Sequence, residues 1–108
     1  MATLTFSPKA RQDLLGIAAF IAQDNPKRAV SFVDELREAC RFRARYPHSG
    51  RQDHDVRPGI LWFSHAGYVF YYRALPEDAG IRVLRVFHGA QDHHRAFRDE
   101  LALKHFGS

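Results

Sequence analysis

The twelve residues Ile81 to Asp92, IRVLRVFHGAQD, decide the fold. Ile81 to His88 are rich in β-branched and aromatic residues and read as a strand. Gly89 and the polar Gln91-Asp92 end it. Working outward towards the N-terminus, Tyr68 to Leu75, Ile60 to Ser64 and Val56-Arg57 have the same character. Pro76 to Gly80, Ala66-Gly67 and Pro58-Gly59 punctuate them. Connections this short make neighbours pair antiparallel, as a meander. The two long strands are apolar on both alternations, so period alone does not assign their faces.

The stretch before the meander switches period. Thr3 to Phe6 alternates like a short strand. Ser7-Pro8 then starts a helix, with Ser7 as cap and Pro8 at the first helical position. Leu14, Ile17, Ala18 and Ile21 form its apolar stripe. Asn25-Pro26 starts a second helix with Ala29, Phe32, Val33, Leu36 and Cys40 on its stripe, ending near Tyr46-Pro47. The short connection implies an antiparallel helical hairpin. His48 to Asp55 is polar and reads as a loop.

The expected architecture is α+β: an N-terminal strand and a helical hairpin packed on one face of a three- to four-stranded antiparallel sheet. The first strand joins at an edge or beside the last strand. The other sheet face is expected to stay open, carrying Arg, Tyr and His. Residues 1–92 form one domain. The tail, 93–108, has Phe97 and Leu101 at helical spacing and either docks weakly or frays.

Composition narrows the function classes. Hydrophobic residues make up 45% of 108, enough for one globular core. No apolar run is long enough to span a bilayer, and the opening MATLTFSPKAR lacks a signal-peptide core, so a cytoplasmic location is expected. One cysteine excludes an internal disulfide framework. The net charge is +4, from sixteen basic and twelve acidic residues. Thirteen of the basic residues are arginine. That surface suits phosphates or an acidic protein partner.

Three groups of residues invite a chemical role. His88, Arg85 and Arg73 with the Tyr71-Tyr72 pair, and Arg51 and Arg57 in and beside the loop before the meander, would suit RNA cleavage by proton transfer and phosphate stabilisation if they converged. The plainer reading is a strand-end histidine bonded to backbone beside packed tyrosines. Arg37, Arg41 and Arg45 share one helix flank at i, i+4, i+8, either as a solvated face or as a docking strip. Trp62 could present an aromatic to a partner. Among the histidines, Asp53-His54-Asp55 and Asp92-His93-His94 lack metal-ligand spacing, so neither a metal nor a cofactor is expected. Cys40 lies on a buried stripe and reads as an inert core thiol.

Several segments together closely resemble the ParE branch of the RelE/ParE toxin superfamily of bacterial type II toxin–antitoxin systems. They are Ser7 to Pro26, RYPHSGR (Arg45 to Arg51), VRPGILWF (Val56 to Phe63), YVFYYR (Tyr68 to Arg73) and RVFHGAQD (Arg85 to Asp92). Gln91 stands where ParE members often have Arg. The resemblance implies a growth-inhibiting toxin that binds DNA gyrase and is neutralised by a cognate antitoxin in a hetero-oligomer. It also leaves open a RelE-like, ribosome-dependent mRNA endoribonuclease with Arg73, Arg85 and His88 as its late basic set, or an inactive antitoxin binder. An acidic, apolar antitoxin segment would then meet Arg37, Arg41, Arg45 and Trp62, by lying over the helical hairpin or adding a strand to the sheet edge.

Overall fold

Ser7 and Asn25 start the two N-terminal helices as expected. In the computed structural model, which describes residues 2–53 and 56–106, Ser7 Oγ accepts from the Ala10 amide at 3.0 Å. Asn25 Oδ1 accepts from the Arg28 amide at 3.1 Å. Helix α1 spans Pro8–Ala22 and α2 spans Pro26–Arg45. Strand β1, Thr3–Phe6, precedes them. After them come β2 (Arg51–Gln52), β3 (Leu61–His65), β4 (Tyr68–Ala74), β5 (Gly80–His88) and helix α3 (His93–Phe106).

The sheet has five strands in the order β1-β5-β4-β3-β2. β1 is both at an edge and beside the last strand, and it runs parallel to β5. The sheet is therefore mixed rather than antiparallel throughout. Its shortest strand is β2, inside the stretch read as a loop. Its two residues pair with Trp62 and Leu61. Val56-Arg57 is not a strand. The amides of Val56 and Arg57 both donate to the Asp53 carbonyl, and the Asp53 carboxylate also accepts from Val56 at 3.3 Å. These bonds close a turn, which Gly59 continues at φ +85°. His54 and Asp55 lie outside the described residues.

The sheet is covered on both faces. On the first, Ala10, Leu14, Phe32, Leu36, Cys40 and Ala44 of the hairpin pack on Leu61, Phe63, Phe70, Tyr72, Ile81, Val83 and Val86. Cys40 is fully buried there, and burial pushes its thiol up to about 12. On the second, Phe97, Ala96 and Leu101 of α3 pack on Ile60, Trp62, Val69, Tyr71, Leu84 and Phe87. The expectation of an open second face is thus corrected. β4 and β5 are apolar on both faces because both faces are buried.

A β-bulge completes the explanation. Tyr71 pairs with Arg85 but Tyr72 pairs with Val83, so Leu84 is the extra residue. The bulge inverts the alternation of β5. Ile81 and Val83 face the hairpin, yet so does Val86, while Leu84 and Phe87 face α3. Among the described residues, no helix is long and apolar enough to cross a membrane.

Candidate functional site

A polar cluster lies where the first turn of α3 meets the sheet. Asp53 follows β2 and is held by the turn it caps. Its side chain is only 7% exposed. Tyr71, in the centre of β4, is fully buried and points to the α3 side. His93 and His94 begin α3. The Tyr71 hydroxyl lies 2.9 Å from His93 Nδ1 and 2.7 Å from His94 Nδ1. His94 Nδ1 also meets Asp53 Oδ2. Trp62 on β3 packs against both imidazoles, at ring distances of 6.0 and 5.3 Å. The Arg51 guanidinium lies over the outer part of this assembly, 5.3 Å from the Trp62 ring centre.

One proton assignment accounts for these contacts. His94 shares its Nδ1 proton between Asp53 Oδ2 and the Tyr71 oxygen, and the Tyr71 hydroxyl donates its only proton to His93 Nδ1. His93 is then neutral. Burial first, and His94 second, hold its pKa below the ordinary histidine value against the opposing pull of Asp92 and Asp53. Burial, then the Asp53 charge, raises the Tyr71 phenol. Tyr71 is therefore a proton donor in a hydrogen bond and not a phenolate. Chemically the cluster is a carboxylate–imidazole pair with a cation at its rim. His94 is 44% exposed and reachable from solvent.

Of the residues singled out from sequence for proton transfer and phosphate stabilisation, Tyr71 and Arg51 belong to this cluster, but His88, Arg73 and Arg85 do not converge. His88 pairs with Tyr68 at one end of the β4–β5 ribbon, and Arg73 pairs with Arg82 near the other. Tyr68 and Arg73 are five residues apart, roughly 17 Å along a strand. His88 Nδ1 accepts from the Ala90 amide at 3.1 Å. Arg85 is clamped between helices. It donates to Asp13 of α1 from Nε at 2.8 Å and Nη2 at 3.1 Å, and to Glu100 of α3 from Nη1.

Arg37, Arg41 and Arg45 are all exposed along α2. Arg41 donates to Glu38 at 3.1 Å. Arg37 lies on an apolar groove of about 330 Å³ between α1 and α2, beside Leu14, Leu15, Ala18 and Val33. Trp62 lies on the opposite side of the sheet, under α3. The arginine flank and Trp62 therefore do not share a surface. Sequence reasoning missed Asp53 and His94 as a pair. Their clusters were visible, but 41 residues separate the two and only the docking of α3 joins them. Among the described residues no group of three or more His, Cys, Asp or Glu could hold a metal ion.

The family model for the ParE toxin of the type II toxin–antitoxin system parDE matches residues 4–93. The chain belongs to the ParE toxin family. Solved structures agree with this ParE-type fold. A chain of the chromosomal ParDE toxin–antitoxin system from P. aeruginosa is similar with a TM-score of 0.66 and 20% identity, over 82% of this chain and 96% of that one. A chain of the RelBE2 toxin–antitoxin complex from Mycobacterium tuberculosis is similar with a TM-score of 0.53 and 23% identity, over 81% of this chain and 96% of that one. No curated protein sequence matches significantly. The match to the ParE family stops at residue 93, where α3 begins. Asp53, Tyr71 and Trp62 lie inside it. The helix that covers them lies almost wholly outside it.

Proposed function

We propose that this ParE-type toxin arrests growth in the cytoplasm by binding DNA gyrase, and that a cognate antitoxin neutralises it in a hetero-oligomer. The observation that carries the choice is the separation of Arg73 from His88, with Arg85 locked between Asp13 and Glu100. A RelE-like late basic set would have to surround one phosphate, and these residues do not. Gyrase as target rests on the family resemblance. The antitoxin reading is supported by the exposed apolar side chains of the hairpin, Leu15 at 69%, Phe20 at 70% and Val30 at 67%, of which Leu15 lines the same groove as Arg37. An acidic amphipathic segment is complementary to that surface. The test is supercoiling by purified gyrase with the toxin alone and with antitoxin added. Inhibition relieved by antitoxin supports the reading, and no inhibition by folded toxin overturns it.

The Asp53–His94 pair favours a second reading, an mRNA endoribonuclease acting on the ribosome. There Asp53 and His94 would exchange the proton and Arg51 would face the phosphate. This version predicts ribosome-dependent mRNA cleavage that falls ~100-fold or more in His94→Ala. Cleavage that persists in that variant removes this pair from the chemistry.

A further inference from the structure

Arg73 on β4 and Arg82 on β5 stand directly opposite one another. Tyr72, Ile81 and Val83 beside them belong to the hairpin-side core, so both arginines project from the α3 side. Like charges placed opposite in an antiparallel pair repel. Neither guanidinium has a hydrogen bond or ion pair with a described residue. Both line a cleft of about 470 Å³ between the start of α1 and the flank of α3. Pro8, Lys9, Leu84 and Phe97 contribute to its walls. Among the described residues lining it, Glu100 is the only carboxylate, and it already receives Lys9 at 3.0 Å and Arg85.

We infer that this cleft binds a phosphate-bearing ligand, with Arg73 and Arg82 taking the phosphoryl oxygens and Leu84, Phe97 and Pro8 the organic body. Two guanidinium forks side by side match a dianion better than a single carboxylate. The positive end of α1 adds to the same field. The volume falls within the range of small-ligand sites. A free nucleotide and the terminal phosphate of a nucleic-acid strand would offer the same chemistry. The inference holds whether the toxin's target is gyrase or mRNA.

The test is NMR titration of the full chain with inorganic phosphate, ATP and a 5′-phosphorylated oligonucleotide, following the Arg73 and Arg82 Nε–H signals and the amides near Ser7. Saturable shifts there with ATP or the oligonucleotide, weakened at least ~10-fold in Arg82→Gln, support the site. The tighter of the two ligands identifies the source of the phosphate. Absence of shifts with all three, or shifts unchanged in Arg82→Gln, overturns it. Folding is not the confounder, because removing one of two opposed cations should leave the ligand-free melting temperature unchanged or raised. A marked fall would show that the pair is structural and would also overturn the inference.

Discussion

Asp13 on α1 receives three hydrogen bonds from one short piece of β5: Nε and Nη2 of Arg85, and the Val86 amide at 2.9 Å. The pair is mostly withdrawn from solvent, with side chains 17% and 19% exposed. It sits just past the point where β1 stops pairing with β5 at Val83. There the edge of β5 would otherwise present an unpaired amide. The carboxylate satisfies that amide and holds α1 against the sheet, while Glu100 brings α3 to the same guanidinium.

Asp13→Ala should therefore destabilise the fold by about 2 kcal/mol, from an unsatisfied amide and a half-paired guanidinium. Urea denaturation of Asp13→Ala, Arg85→Ala and the double variant measures it. The two losses should not add, since both remove the same contact. Additive losses would show that each residue acts alone.

Tyr71→Phe removes the hydroxyl that joins the two imidazoles. The expected cost is about 1 to 2 kcal/mol, concentrated in α3. Hydrogen exchange should quicken in the α3 amides before those of α1 and α2. Uniform quickening throughout the chain would mean that α3 does not open on its own.

Acid should weaken the same contact. The folded-state pKa of His93 lies below its unfolded value, so the unfolded chain binds the proton more readily. The contribution of His93 to stability is intact well above the unfolded value of about 6.5 and declines as pH falls through it. Denaturant midpoints from about pH 7.5 to about pH 5.5 should show this decline. His93→Asn should flatten it, and an unchanged slope in that variant would assign the pH response elsewhere.

Gly80→Ala should unpair β1. A Cβ at this position would lie 1.8 Å from the Thr3 carbonyl oxygen, where β1 runs alongside β5. The backbone cannot yield without breaking the bond from the Thr3 amide to Ala79 O at 2.8 Å. A loss on the order of 3 kcal/mol is expected, seen as a lowered urea midpoint. An unchanged midpoint would show that β1 contributes little.

Charge reversal of Arg37, Arg41 and Arg45 together should weaken antitoxin binding by about tenfold, mainly through slower association at low salt. Arg41 already has Glu38, so Arg41→Glu alone should contribute least. Calorimetry with purified antitoxin decides it, and unchanged affinity would move the contact off this helix face.

The sequence by itself determined the elements that depend on neighbours along the chain. Caps at Ser7 and Asn25, the stripe from Ala29 to Cys40 and the turn at Ala66-Gly67 are local signals, and each stands where its chemistry places it. Segments from Ser7 to Asp92 were enough to point to the ParE family. Tertiary structure alone decided what depends on distant partners. A two-residue strand such as β2 has no period to read and exists only because Trp62 and Leu61 pair with it. The faces of β5 were illegible because a bulge at Leu84 inverts the alternation halfway along. The tail read as weakly docked or frayed because its apolar content is small, yet Phe97 meets Tyr71 and Phe87 on the second sheet face. The Asp53–His94 pair and the opposed arginines 73 and 82 follow from that docking and that register. Long-range contacts of this kind are set by which buried faces must close, and no single segment carries that information.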